Sequence, residues 1–166
     1  MPPPSPPRPP SPISRPSGAR WAAAAGRSDV TPAPIARLLR ERSFAIAARL
    51  ILTLPFWASG IAKLLDVDAA FAEAAHFALD PAWLVVTATI LVQIFGSALV
   101  VADRWTWVGA GALGVFTALA TIIAHPFWSM AEPVARFHER NTFLEHAGLI
   151  GGLMLAAGMT PAGRRR

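Results

Sequence analysis

The sequence predicts an all-α membrane protein, a bundle of four transmembrane helices with both termini in the cytoplasm. Hydrophobic residues make up 54% of the 166 residues, above the share of about 45–50% that is usual in proteins. Four apolar stretches are each long enough to cross a bilayer hydrocarbon core of about 30 Å. Arg and Lys flank these stretches mainly on one side, which is the distribution that sets topology. The predicted spans are about 44–64, 82–102, 105–124 and 142–159.

The first span carries a polar stripe along one face. Residues spaced by three and four positions share a face of a helix, and charged groups at membrane depth usually face the bundle interior or reach for an interface. We therefore expect one helix over 44–64 with this stripe turned inward. Arg49 lies near its cytoplasmic end and is expected to be an anchor that binds Ser97, Gln93 or lipid phosphate, or that snorkels to the interface. The stripe consists of Arg49, Thr53, Phe56, Gly60 and Lys63.

The second and third spans contain no charged residue and are joined only by Asp103-Arg104. So short a loop predicts an antiparallel helical hairpin. Gln93 lies near the middle of the second span, and Trp128 follows the third span as part of an outer aromatic belt. A short interfacial helix is expected between the first two spans, in the Ala-rich segment 66–81.

Charge distribution and the lack of Cys exclude several functions. The net charge is +5, but the cations lie where topology signals lie: before the first span, at Arg104, and in 164–166 at the chain end. We therefore expect no nucleic-acid partner. The chain contains no Cys, so it cannot provide disulfide exchange, thiolate metal sites, iron–sulfur ligation or c-type haem attachment.

The segment before the first span divides into two parts. Residues 1–34 are rich in Pro, Ser and Arg without apolar periodicity, which predicts a disordered leader. A recognition arm, a tether to anionic lipid and a misassigned start codon are alternatives for it. Residues 35–43 form a basic amphipathic lead-in expected at the inner interface. The four-span domain then covers 44–160, and 161–166 is a basic cytoplasmic tail.

A polar cluster is predicted near the outer end of the bundle. Lys63 ends the first span, His125 ends the third, and Glu145 opens the fourth, so these side chains can converge at one level. Structural alternatives stay open, since Lys63 can snorkel and Glu145 can simply pair with it. No metal site is predicted. The supporting residues are Arg49, Gln93, Trp128, Asn141 and His146.

A b-type haem is a second interpretation of the histidines. His125 and His146 lie on neighbouring spans at one level, and two axial imidazoles would suffice for haem. However, His146 points about 100° away from the face that carries Glu145 and Gly148. The two imidazoles are not expected to point inward together, and haem is disfavoured.

Several segments resemble the DoxX family of four-helix membrane proteins. Arg49 followed by 56–64 (FWASGIAKL) is similar to the first-helix signature of the family, an Arg, a Phe, a Ser-Gly and a Lys. HPFW at 125–128 and NTFLEHAGLIGGL at 141–153 are similar to its later segments. Many members have Lys-Asn where this chain has Glu145-His146, which reverses a charge. The resemblance covers about residues 43–160.

The resemblance implies a protein of the bacterial cytoplasmic membrane, in a group that includes a subunit of a thiosulfate:quinone oxidoreductase. The leading hypothesis is a membrane subunit of a redox-linked, quinone-interacting complex, rather than a self-sufficient enzyme. Lys63 would orient the acid or a quinone oxygen, and His125 and Glu145 would relay protons. A non-catalytic scaffold for a partner enzyme and a small-solute transporter are the alternatives.

The expected partners are membrane lipid, a partner redox protein and further copies of the chain. Gly148 and Gly152 form a GxxxG match. This motif can bring helices together within one chain or between copies, and packing within the chain is the simpler interpretation.

Overall fold

The computed structural model describes Met1 and residues 31–159. It divides into two compact units, Met1–Arg37 and Leu38–Arg166, and the bundle belongs to the second. The described residues form helices and no strand, which confirms the all-α class. Most of the predicted leader, and the tail 161–166, lie outside the described residues. The helices are α1 (Ala33–Arg40), α2 (Arg42–Leu52), α3 (Leu54–Leu65), α4 (Val67–His76), α5 (Ala82–Val101), α6 (Thr106–Ala124) and α7 (Pro133–Gly158), with a 3₁₀ turn at Phe127–Ser129.

The predicted single helix over 44–64 is wrong, because the chain bends by 57° between α2 and α3. Pro55 lies just after the break. It has no N–H to donate to the carbonyl of Ile51, and its ring crowds the preceding turn. Thr53, between the two helices, is fully buried. Its hydroxyl donates to the carbonyl oxygen of Arg49 at 2.8 Å, so a side chain helps to satisfy the broken turn.

A tryptophan spans this break. The indole N–H of Trp57 on α3 donates to the carbonyl oxygen of Leu50 on α2, at 3.2 Å. In an unbroken helix that carbonyl would accept from the backbone four residues later. The indole therefore replaces a lost backbone bond. The predicted stripe is split, with Arg49 on α2 and with Gly60 and Lys63 on α3.

The predicted hairpin of α5 and α6 is present, joined by residues 102–105. Asp103 and Trp105 adopt left-handed backbone angles, with φ of 54° and 56°. The backbones of the two helices come close together at Gly96 and Gly109. A Cβ built on Gly109 would lie 2.6 Å from the carbonyl oxygen of Gly96, so glycine is needed there for the backbones to meet.

Helix α4 is the predicted short helix after the first span. Asp66 caps it by accepting from the N–H of Ala69 at 2.9 Å. Ala70 and Ala74 are buried against Val86 of α5, and these small side chains let α4 lie flat on that helix. The cap and the apolar face together explain why α4 begins directly after α3.

The longest helix, α7, includes the predicted fourth span but begins earlier, at Pro133. Glu132 caps it by accepting from the N–H groups of Val134 and Ala135. Farther along, Leu153 joins the apolar core. A Cβ built on Gly152 would lie 3.0 Å from Leu52 of α2, so α2 and α7 are in contact there.

The helices are arranged around α6, which packs against α5 on one side and α7 on the other. Helix α2 contacts both α5 and α7, whereas α3 packs mainly against α5. Phe56, Val100, Ala110, Leu113 and Leu153 form the central apolar core. We call the end of the bundle at residues 102–105 the hairpin end, and the end where α6 meets the 3₁₀ turn the histidine end.

Two of the described helical segments, residues 82–101 and 106–129, are long and apolar enough to cross a membrane. The bent pair of α2 and α3 makes a third crossing if the pair counts as one span. That α7 crosses the membrane, and therefore that the chain crosses it four times, stays a prediction.

Candidate functional site

His125 and Glu139 meet at the histidine end of the bundle. His125 immediately follows α6, and Glu139 lies in the second turn of α7. The Nδ1 atom of His125 is 2.6 Å from Oε2 of Glu139, and both side chains are only partly exposed, at 23% and 31%. A carboxylate can only accept, so Nδ1 of His125 carries the hydrogen in this bond. The contact thereby fixes the orientation of the imidazole ring.

His146 packs edge to face on His125. The ring centroids are 5.1 Å apart, with an interplanar angle of 65°. Nδ1 of His146 lies 2.8 Å from the hydroxyl oxygen of Thr121. That hydroxyl donates its own hydrogen to the carbonyl oxygen of Thr117 at 2.6 Å, so His146 is the donor to Thr121. Both imidazoles therefore use Nδ1–H within the protein.

The second nitrogen of each imidazole, Nε2, has no hydrogen-bond partner among the described residues. In a neutral ring with hydrogen on Nδ1, the Nε2 atom has a lone pair and can accept a hydrogen bond or a proton. When the ring is protonated, Nε2 becomes a donor. We define the histidine pair as His125 and His146 with their acceptors Glu139 and Thr121.

Three aromatic rings lie close to this pair in the chain. Phe127, Trp128 and Phe143 contact one another edge to face, with centroid separations of 5.2 to 6.2 Å. Phe127 follows His125 by two residues and Phe143 precedes His146 by three. The predicted supporting residue Trp128 is thus part of an aromatic cluster, and the residue is 58% exposed.

The sequence predicted that Lys63 would lie with His125 and Glu145. In the structure Lys63 is not part of the histidine pair. Its ammonium nitrogen lies 2.5 Å from Oε2 of Glu73 on α4. The physical reason is local: Asp66 starts α4 immediately after α3, so the chain turns and brings Glu73 back to Lys63. The expected ion pair between Lys63 and Glu145 is absent from the described residues.

Glu145 is exposed on α7 and forms no ion pair or hydrogen bond within the described part of the chain. It neighbours His146 in sequence but points about 100° away around the helix. Asn141 is half-buried one turn earlier. The predicted cluster of Lys63, His125 and Glu145 is therefore not formed as a set of direct contacts.

Arg49 binds a partner that the sequence did not predict. Its Nη2 atom lies 2.9 Å from Oδ1 of Asp103 in the α5–α6 loop. Expectations that Arg49 would bind Gln93 or Ser97 are not met. Asp103 is the nearer group because the hairpin end brings its loop beside the last turn of α2. The role of Arg49 as an anchor at this end fits the contact.

Gln93 is buried between α5 and α3. Its Nε2 donates to the hydroxyl of Ser59 at 3.3 Å, whereas its side-chain oxygen Oε1 is buried without a hydrogen-bond partner. Ser97 donates to the backbone oxygen of Gln93 at 2.6 Å. These contacts join the mid-portions of two helices, and they place Gln93 in packing rather than at the histidine pair.

Two apolar grooves of the described structure lie elsewhere. One, of about 320 Å³, runs between α6 and α7 beside Gly114 and Met154. The other, of about 420 Å³, lies between α5 and α6 beside Phe95 and Val108. In residues 31–159 no group of three His, Cys, Asp or Glu side chains could hold a metal ion.

Three acids that bind cations or imidazole were missed by sequence reasoning: Glu73, Asp103 and Glu139. Glu139 carried a usable signal, because it precedes His146 by seven residues and so shares its face of α7. Asp103 had no such signal, since its contact with Arg49 depends on how α2 packs against the hairpin.

The long apolar helices and the partly polar interior define a class, the helical membrane proteins. A family model described as DoxX matches residues 44–126, half of the chain, and the chain belongs to the DoxX family. The match includes α3 to α6 and reaches His125, while all of α7 lies beyond it. No curated protein and no solved structure matches the chain significantly.

Proposed function

We propose that the protein is a membrane subunit of a redox-linked complex that binds a quinone at the histidine pair. In this proposal it crosses the bacterial cytoplasmic membrane four times, with both termini in the cytoplasm. The supporting observation is the geometry of His125 and His146. Both rings are held by Nδ1–H bonds, at 2.6 and 2.8 Å, and both leave Nε2 without a partner in the described structure.

The chemistry of these nitrogens suits a quinone. A protonated His125 donates from Nε2 to a quinone carbonyl oxygen, while the carboxylate of Glu139 at 2.6 Å compensates the positive charge. A neutral ring instead accepts the hydroxyl hydrogen of a quinol at Nε2. The nearby edge-to-face rings of Phe127, Trp128 and Phe143 provide aromatic surface for a planar ring.

The proton and electron balance defines what a partner must supply. A quinone becomes a quinol by gaining two electrons and two protons. His125 gives one proton to the oxygen it contacts, and the second reaches the other oxygen from water. The electrons come from a partner redox protein. The chain itself therefore contributes binding and proton transfer, as a subunit does.

A binding titration tests this function. The full-length protein in mild detergent is titrated with a short-chain ubiquinone and, separately, a short-chain menaquinone, and Trp fluorescence is followed. We expect saturable binding, and about tenfold weaker binding for His125→Gln, because a hydrogen bond to a charged group is lost. His138→Gln is the matched control, since His138 is exposed on α7 and is not part of the histidine pair. Equal affinities for the wild type and His125→Gln would refute the site.

The same detergent preparation distinguishes a scaffold from a subunit that binds quinone. A protein that co-purifies with a partner enzyme but binds neither quinone is a scaffold. In that case His125→Gln should leave the complex intact, because the histidine pair would then only hold α6 to α7.

A further inference from the structure

Helix α1 has one apolar face and one basic face. Ile35, Leu38 and Leu39 are spaced by three and four positions, so their side chains share a face. Arg37 follows Ile35 by two positions, which turns it about 160° away around the helix. Arg40 is related to Leu38 in the same way, and α1 itself contains no acidic residue. This arrangement is typical of a helix that lies in a membrane interface.

The apolar face of α1 is exposed. Ile35, Leu38 and Leu39 are 49%, 53% and 53% exposed, and no residue of α1 is buried. Apolar side chains are more stable when they are removed from water. Three large apolar side chains on one face of a short helix therefore favour an apolar partner for that face.

The chain that follows α1 holds it close to lipid. Arg40 lies four residues before Phe44, where the predicted first span begins, and four residues extend by at most about 14 Å. Glu41 has extended backbone angles, φ −67° and ψ 133°, and separates α1 from α2. Because of this break, α1 is not obliged to continue the axis of α2 into the bilayer. The lipid surface is therefore an apolar partner within reach of α1.

The charge of this segment favours an anionic surface over a neutral one. Arg37, Arg40 and Arg42 lie within six residues, accompanied by one acid, Glu41. By contrast, residues 132–140, before the fourth predicted span, carry two arginines and two glutamates. Arginine side chains are long enough to reach phosphates beside a helix whose apolar face is buried. Each cation near an anionic membrane surface strengthens binding about fivefold.

We propose that α1 binds the anionic lipid surface of the membrane. Its apolar face, formed by Ile35, Leu38 and Leu39, is inserted below the headgroups. Arg37 and Arg40 lie at the level of the lipid phosphates. Lipid is the chosen occupant because the short connection to the first span keeps α1 at the membrane and because the arginines complement an anionic headgroup layer. This binding is independent of the quinone site.

Spin labels on the two faces of α1 measure its insertion. The chain has no Cys, so Leu39→Cys and Ala33→Cys each provide a single labelling site in the full chain. Ala33 precedes Arg37 by four residues and therefore lies on the basic face. The protein is placed in nanodiscs of phosphatidylcholine mixed with phosphatidylglycerol. We expect the label at residue 39 to collide mainly with oxygen, which concentrates in lipid, and the label at residue 33 to collide mainly with a water-soluble nickel chelate.

The dependence on charge is a second measurement. In nanodiscs of phosphatidylcholine alone, the label at residue 39 should become more accessible to the nickel chelate. Arg37→Gln combined with Arg40→Gln should have the same effect in anionic nanodiscs, and should lower the equilibrium constant for insertion by at least about tenfold. Arg136→Gln combined with Arg140→Gln is the matched control, because it removes the same charge from α7, and it should leave insertion unchanged.

Three results would overturn the proposal. The first is a label at residue 39 that the nickel chelate reaches freely in anionic nanodiscs. The second is insertion that is equal with and without phosphatidylglycerol, or equal in the wild type and the variant of Arg37 and Arg40. The third is a label shielded from both oxygen and nickel, which would show that protein covers the apolar face, either residues 2–30 or another chain. Quinone titration of the same variant should match the wild type, so this outcome is separate from the proposed function.

Discussion

Arg49 and Asp103 join the first span to the α5–α6 hairpin through an ion pair of 2.9 Å. The two side chains are 26% and 28% exposed, so solvent screens their attraction only in part. Thr106 supports the acid by donating to the same carboxylate oxygen at 3.2 Å. Helix α2 ends at Leu52, and the chain bends directly after it. The ion pair therefore holds the part of the first span that precedes the bend.

We predict that Arg49 and Asp103 are energetically coupled. Arg49→Gln and Asp103→Asn should each lower the free energy of unfolding, and the double variant should lose less than their sum, by about 1 kcal/mol. Unfolding in mixed micelles with increasing SDS measures this cycle. Arg49→Gln combined with Glu132→Gln is the control, because Glu132 contacts only the start of α7. Strict additivity of the first pair would show that the contact contributes nothing.

The glycine contact of the hairpin gives a second prediction. Gly109→Ala would place a methyl group 2.6 Å from the carbonyl oxygen of Gly96, a backbone atom that cannot move aside. We expect a loss of about 1–3 kcal/mol in the free energy of unfolding. Gly111→Ala on the same helix meets open space and should be neutral or stabilising by up to about 1 kcal/mol, because Ala favours helix. Similar stabilities for the two variants would contradict the close approach of α5 and α6.

The sequence predicted the helices better than it predicted their contacts. Periodicity and hydrophobicity identify α5 and α6, and the short Asp103-Arg104 loop identifies their pairing. The same periodicity did not predict the bend in the first span, because the helical spacing of a stripe does not depend on the N–H that Pro55 lacks. Pro55 is the feature of the sequence from which a bend in the first span can be predicted.

The site was harder to predict because its contacts join residues that are distant in sequence. His125 and His146 were both candidates, but their acceptors Glu139 and Thr121 depend on the register of α6 against α7. Lys63 was assigned to the wrong acid because a local turn, not the bundle, decides its partner. Neither the register of α6 against α7 nor the turn between α3 and α4 follows from helical periodicity alone.

The cap of α7 predicts a pH dependence. Glu132 accepts from the backbone N–H groups of Ala135 and Val134, and these bonds hold the pKa of its carboxyl below its usual range. A carboxyl with a lowered folded pKa stabilises the helix start above its unfolded pKa, about 4.3, and loses this effect as pH falls through the folded value. The protection factors for amide hydrogen exchange in the first turn of α7, which correct for the intrinsic slowing of exchange in acid, should therefore fall on acidification.

Glu132→Gln tests the origin of that effect. The variant should show lower protection factors in the first turn at neutral pH and little further loss of protection on acidification. Glu41→Gln is the matched control, because Glu41 occupies the equivalent position before α2 but forms no side-chain bond to its helix. A pH response that persists in Glu132→Gln would assign the effect to another group.

The bend of the first span can be tested through Pro55 and Trp57. Pro55→Ala returns an N–H that the carbonyl of Ile51 can accept, so α2 and α3 should move toward one straight helix. Spin labels at Ile51 and Ile61, which are 70% and 43% exposed, would then approach the separation of about 15 Å along a continuous helix of this length. Trp57→Phe removes the indole donor to Leu50 and should broaden the distance distribution without straightening the span. Trp83→Phe, on α5, should change neither the mean nor the width. If Pro55→Ala gives the same distance distribution as the wild type, then the packing of α3 on α5, and not the proline, determines the bend.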